Sequence, residues 1–132
     1  MGLKQIPKVN WQGKTVLIVE DENHNFFYLK ETIKRTGASC LRAINGLEAI
    51  KIFKDNKDIE IVLMDIKMPV MDGYEATRRI KEINPEIPVI AQTARAMVKE
   101  KEKSIEAGCD AYIVKPYEPA DLIELMMKFI KT

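Results

Sequence analysis

The stretch 59–73, IEIVLMDIKMPVMDG, decides the fold. Its opening, Ile59 to Met64, is nearly continuous in Ile, Val, Leu and Met, as a strand covered by helices on both faces must be. Asp65 ends the apolar run, and Asp72 stands where it would cap the helix that follows. A buried strand that delivers an acid at its end and then enters a helix is one βα unit.

Working outward, the same alternation of short apolar runs and longer amphipathic ones begins at Thr15 and recurs along the chain. The other strand candidates are Thr15 to Val19, Ser39 to Ala43, Val89 to Gln92 and Ala111 to Val114. The first, third and fourth in chain order are the most apolar and should be central, whereas SCLRA at 39–43 is mixed and suits an edge. Helical spacing appears in Phe26, Leu29 and Ile33, in Leu47, Ile50 and Phe53, in Tyr74, Thr77 and Ile80, and in Leu122, Met126, Phe129 and Ile130. The remaining helix, Met97 to Ala107, has a middle that reads KEKEKSIE and offers only Met97, Val98 and Ile105 as anchors, so it is expected to be the most weakly docked. Gly37 and Gly108 stand where helices need a left-handed stop. Five such units give an α/β fold, a doubly wound five-stranded parallel sheet of order 2-1-3-4-5 flanked by five helices, with its crevice at the carboxyl ends of the strands.

Composition excludes several classes. The 132 residues make one domain, with 46% apolar and 31% charged residues and 21 basic side chains against 20 acidic ones. That balance suggests neither disorder nor direct binding to nucleic acid. No apolar run approaches the ~20 residues of a membrane span, so a soluble, cytoplasmic domain without membrane insertion is expected. Cys40 and Cys109 lack metal-ligand spacing and read as half-buried fillers. Residues 1–14, with Lys4, Lys8 and Lys14 and no acid, read as a linker that Trp11 could pin to the domain over 15–132.

The strand ends place Glu20, Asp21, Asp65, Thr93 and Lys115 on one edge. Acids brought to ~4 Å repel by ~4 kcal/mol per pair at an effective dielectric near 20, so a cation is needed between them. Oxygen-only ligands select Mg²⁺, with Mn²⁺ as a substitute, over zinc. Lys115 would not stand beside a simple cation site, and its presence argues for a second anion, a phosphoryl group carried by Asp65. Blander readings exist for each residue taken alone. Glu20, Asp21 and Glu22 could cap the next helix, Thr93 could be a strand-end threonine, Tyr112 a core residue, and His24 a solvated first-turn residue.

VEDEN at 19–23, LMDIKMPVMDG at 63–73, AQTA at 91–94 and AYIVKP at 111–116 resemble the response-regulator receiver family of two-component signalling, in order and over essentially all of 15–132. The resemblance implies a flavodoxin-like receiver fold and Asp65 as phosphoacceptor. It implies Glu20, Asp21, Asp65 and the Lys67 backbone carbonyl as metal ligands, Lys115 as the phosphate-binding lysine, and Thr93 and Tyr112 as a switch pair. Backbone groups of Lys67 and Ala94 would contact phosphate, and the Lys115 to Pro116 bond would be cis. Glu20 stands where many members have Asp, which leaves open direct or water-mediated ligation. The implied partners are a histidine kinase or histidine phosphotransfer domain upstream and a protein that reads the surface of the fourth helix and fifth strand. WQGKTVLIVEDEN at 11–23 resembles the lead-in to C-terminal receivers of hybrid sensor histidine kinases. Lys67 and Arg95 are expected to flank the site and govern access of water.

Two other functions compete. A covalent phosphatase would want a second acid two residues after its nucleophile, where this chain has Lys67, and room for a cap. A flavin carrier would want a phosphate-cradling loop after the first strand, where VEDEN is acidic.

Overall fold

The computed structural model describes residues 4–68, 70–94 and 97–130, so Arg95 lies outside the described residues. Five βα units follow one another: β1 (Thr15–Val19), α1 (Asn23–Lys34), β2 (Ser39–Ala43), α2 (Gly46–Asp55), β3 (Ile59–Asp65), α3 (Gly73–Ile83), β4 (Val89–Thr93), α4 (Val98–Ala107), β5 (Ala111–Val114) and α5 (Pro119–Met126). The strands form one parallel sheet of order β2-β1-β3-β4-β5.

Strand alternation divides the core between the two faces of the sheet. Leu17 and Val19 of β1, Val62 and Met64 of β3 and Val89 of β4 meet Ile50 and Phe53 of α2 and Ile80 of α3 on one side. Val16, Ile18, Ile61, Leu63 and Ile90 meet Phe26, Leu29 and Ile33 of α1 and Leu122, Ile123 and Met126 of α5 on the other. Each such side chain, fully buried, contributes roughly 1.5–3 kcal/mol from removal of apolar surface.

Local chemistry sets the element ends as the side-chain pattern requires. Asn45 accepts the Glu48 N–H at 2.9 Å and caps α2, and Asp72 accepts the Glu75 N–H at 3.0 Å and caps α3. Gly108 closes α4 at φ 99°, a conformation that favours glycine.

Four expectations shift. β3 runs through Asp65 and β4 through Thr93, one residue further than the apolar runs, because Asp65 pairs with Gln92 and Thr93 with Val114 in the ladder. Leu47 is half exposed at 50%, and α2 instead turns Ala49 inward beside Ile50 and Phe53. On α4, Met97, Val98 and Ile105 are exposed, while Ser104 and Ala107 form the buried stripe, so the apolar residues named as anchors are not the ones that dock it. α5 ends at Met126, and Phe129 and Ile130 pack from the turn beyond it.

Residues 4–14 form neither helix nor strand, yet they lie against the α1–α5 layer. Trp11 is 1% exposed, and its N–H donates to the Thr36 carbonyl at 2.7 Å. Among the described residues no helix is long and apolar enough to cross a membrane.

Candidate functional site

The carboxyl edge of the sheet opens into a cavity of about 620 Å³ whose lining includes Glu20, Asp21, Asp65, Lys67, Thr93, Ala94 and Lys115. Each side chain arrives there through its strand. Glu20 directly follows β1; its N–H donates to the Ala43 carbonyl at 2.9 Å, and its own carbonyl accepts from Arg42 Nε at 3.2 Å. The backbone thus stays tied to β2 and the carboxylate turns inward, fully buried. Glu20 Oε2 accepts the Glu22 N–H at 3.2 Å, and Glu22 in turn caps α1 by accepting the Asn25 N–H at 3.1 Å. The acidic triplet therefore divides: Glu22 serves the helix, and Glu20 and Asp21 serve the edge.

Asp65, 6% exposed at the end of β3, accepts the Lys67 N–H on Oδ1 at 3.3 Å. One carboxylate oxygen from each of Glu20, Asp21 and Asp65 lies within 4.8 Å of the others. Lys115 Nζ stands 3.4 Å from Glu20 Oε1 and 3.6 Å from Asp65 Oδ1. The backbone that carries it is fixed by the Lys115 N–H donating to the Thr93 carbonyl at 2.8 Å, and the Lys115–Pro116 bond is cis.

Burial first and the neighbouring Asp65 second raise the pKa of Glu20 to about 7, with Lys115 and the Glu22 N–H only partly opposing them. A buried acid this reluctant to ionise beside two more acids is a site short of positive charge. Three carboxylates and no nitrogen or sulfur ligand suit a hard divalent cation, so the residues present fit Mg²⁺.

Gly73 belongs to this architecture in a less visible way. A Cβ there would stand 2.4 Å from the Asp65 carbonyl oxygen and 2.8 Å from Ile66 Cα, so α3 starts against the strand end that presents Asp65 only because the residue has no side chain. Tyr112 is not part of the cavity. It is half-buried on β5 beside a groove lined by Lys101, Ser104 and Ile105 of α4. Two site neighbours escaped the sequence reading. Gln92, a fully buried polar residue in an apolar strand, accepts the Tyr117 hydroxyl at 2.6 Å, and Tyr74 donates to Glu100 at 2.8 Å across the cavity rim. The polar interruption of β4 was the signal for the first; nothing local marked the second.

The family model described as "Response regulator receiver domain" matches residues 16–127. The chain belongs to the response regulator receiver family. Among curated proteins, this receiver domain is 36% identical over 119 residues to the polar-differentiation response regulator DivK of Brucella anthropi, covering 89% of the chain and 96% of the relative. It is 38% identical over 101 residues to sensor histidine kinase RcsC of Escherichia coli, covering 76% of the chain and 10% of the relative. Histidine kinase 3 of Arabidopsis thaliana matches at 31% over 142 residues, 91% of the chain and 14% of the relative. The chain thus spans nearly all of one relative and a small part of the two kinases. Among solved structures, chemotaxis protein CheY4 of Vibrio cholerae superposes with a TM-score of 0.84 at 22% identity, covering 89% of this chain and 98% of that one, which speaks to fold alone. The receiver domain of sensor histidine kinase PA1611 from Pseudomonas aeruginosa superposes with a TM-score of 0.82 at 29% identity, covering 89% and 97%, and holds a magnesium ion coordinated in its active site cleft. The acidic cluster of this receiver domain fits such a magnesium site.

Proposed function

We propose that the domain takes a phosphoryl group from a phosphohistidine onto Asp65 in a Mg²⁺-dependent step, the donor being a histidine kinase or a histidine phosphotransfer domain. One observation carries the reading: the Asp65 carboxylate stands among two other acids within 4.8 Å, with the Lys115 ammonium 3.6 Å away. A nucleophile so placed needs charge neutralisation and positioning more than it needs a base. An Asp65 carboxylate oxygen attacks phosphorus, the P–N bond to the donor imidazole breaks, and the leaving nitrogen keeps the bonding electrons, its proton balance completed by solvent.

Glu20, Asp21, Asp65 and the Lys67 carbonyl would hold Mg²⁺, or Mn²⁺ in its place, with Glu20 acting directly or through water. When bound, the ion neutralises charge on the acids and on phosphoryl oxygens. Lys115 supplies the second countercharge, and the N–H groups of Lys67 and Ala94 together with the Thr93 hydroxyl hold the phosphoryl oxygens. In the loaded state Thr93 moves toward phosphate, Tyr112 follows inward, and the surface of α4 and β5 changes its affinity for a downstream protein. The exposed Met97, Val98 and Ile105 on α4 support that output surface. Turnover is confined to the domain's own phosphorylation and its loss, in a cytoplasmic setting. The lead-in at 11–23 and the match to RcsC support a place as the C-terminal receiver of a hybrid kinase, which the reading frame upstream of Met1 tests.

The test is intact-mass measurement after incubation with acetyl phosphate and Mg²⁺. One phosphate is expected on the wild type and none on Asp65→Asn, while labelling that persists in the variant would move the acceptor elsewhere.

A further inference from the structure

The loop that carries Lys115 is gripped from several sides, and one grip comes from the opposite end of the chain. Lys115 is held to β4 by its own N–H, and two residues on Tyr117 donates its hydroxyl to Gln92 at 2.6 Å. The next residue, Glu118, precedes α5; its side chain accepts the Lys4 backbone N–H at 3.1 Å, while Lys4 Nζ reaches Asp121 Oδ1 at 2.9 Å. Asp121 in turn accepts the Glu118 N–H at 3.1 Å, so Lys4 closes a small acidic network on the first turn of α5.

From Lys4 the chain passes Ile6 and Val9, both partly buried on the α1–α5 layer, to Trp11, which is anchored at Thr36 beyond the C-terminal end of α1. Seven extended residues reach about 23–25 Å, enough to run alongside the whole of α1, which at 12 residues is about 18 Å long. The Lys4 pair is exposed and individually weak, but Ile6, Val9 and the buried Trp11 hold the segment in the same place, so the cation is delivered to α5 at little further entropic cost.

We propose that residues 4–11 form a strap that positions Lys115, so that docking of the strap and loading of the Asp65 site favour one another. The lever is short: Glu118, which the strap grasps, is three residues from the ammonium that stands 3.6 Å from Asp65. Held against α5, the strap keeps the 115–118 loop in the position that turns Lys115 toward the acids; released, it frees that loop and lowers the affinity for the phosphoryl group. Linkage makes the effect reciprocal. A force or partner that draws residues 4–10 off the domain would thereby tune its capacity to accept phosphate from the N-terminal side. The inference rests on the phosphoacceptor reading above and adds a positioning element to it.

The test is a beryllofluoride titration in saturating Mg²⁺, followed by amide NMR on the full chain. Lys4→Glu, which turns attraction to Glu118 and Asp121 into repulsion, and Ile6→Asp, which removes an apolar anchor, should each raise the half-saturating beryllofluoride concentration by about threefold or more. Lys4→Arg should restore it, and Lys8→Glu, the same charge change at an exposed position, should leave it unchanged. Half-saturation by Mg²⁺ alone should not weaken in any of the four, because an ammonium drawn away from Glu20 and Asp65 competes less with the ion, whereas general loosening of the site would weaken it. In the wild type, hydrogen exchange at Ile6 to Asn10 should slow on loading. If the wild type ignores beryllofluoride, the phosphoacceptor reading fails. If the wild type responds and Lys4→Glu and Ile6→Asp titrate like it, the strap alone is overturned.

Discussion

Glu20 meets opposed demands: burial favours its neutral form, and cation binding requires its charge. Its folded-state pKa of about 7 lies above the reference value of 4.5, so the folded protein binds the extra proton between those limits. The sign follows: stability of the metal-free domain falls as pH rises from about 4.5 to 7, by an amount on the order of 1–3 kcal/mol. Glu20→Gln should remove that slope and leave the metal-free variant more stable than the wild type at pH 8, which denaturation in a chelator checks. Apparent Mg²⁺ affinity should drop by up to about tenfold per pH unit below 7 in the wild type, because the ion must displace the proton. Gly73 predicts a different loss. Gly73→Ala forces a methyl group onto the backbone of Asp65 and Ile66, where no flexible side-chain end can give way. A destabilisation of about 1–3 kcal/mol is expected, together with weaker beryllofluoride binding, since the displaced backbone is the one that presents Asp65.

At the scale of elements, α4 is the outlier. Its buried stripe is Ser104 and Ala107, small side chains that bury little surface, and its N-cap makes no side-chain hydrogen bond. The Tyr74 hydroxyl, donating to Glu100 Oε2 at 2.8 Å, joins α4 to α3 beside the packing of Ala107. Tyr74→Phe should cost the whole domain only about 0.5–1.5 kcal/mol but speed amide exchange in α4 more than in α5, as measured by hydrogen exchange. The sequence foretold the weak docking from KEKEKSIE but misassigned the docked face. Met97, Val98 and Ile105 are apolar, and periodicity assumes that apolar residues turn inward; here they stay in solvent. Leu47 failed for a related reason, since the close approach of α2 to the sheet favours small Ala49 at the contact. The central strands β1, β3 and β4 were legible because buried parallel strands need continuous apolar runs, and the mixed β2 was legible from the recurring alternation of strand and helix. Their last residues were not, because Asp65 and Thr93 stay in the ladder through backbone pairing that side-chain polarity does not report. The edge acids were legible as a cluster once the topology was known, whereas the grip of Tyr117 on Gln92 and of Lys4 on α5 joins residues 25 and 117 positions apart and left no local trace.

For the molecule as a whole, the three acids crowded at the carboxyl edge are a built-in source of instability that a bound cation would relieve. A domain of this size has net stability of roughly 5–15 kcal/mol, so crowding three acids at one edge is a sizeable fraction of the total. A ligand that binds only the folded state adds RT ln(1 + [L]/Kd), about 2.7 kcal/mol at a hundred times Kd. Thermal melts should therefore rise by several degrees with saturating Mg²⁺, and again when beryllofluoride is added. The variants separate the two increments. Lys115→Met should keep or enlarge the first and lose most of the second, because the ammonium attracts the anion and competes with the cation for Glu20 and Asp65. Asp65→Asn should shrink the first and abolish the second, and metal-free it should melt above the wild type because one repulsive charge has gone. The double variant Glu20→Gln with Asp65→Asn leaves only exposed Asp21 and should show no Mg²⁺ increment. If that variant still gained the full stabilisation, the ion would be binding elsewhere, and the charge shortage at the carboxyl edge could not be what draws it in.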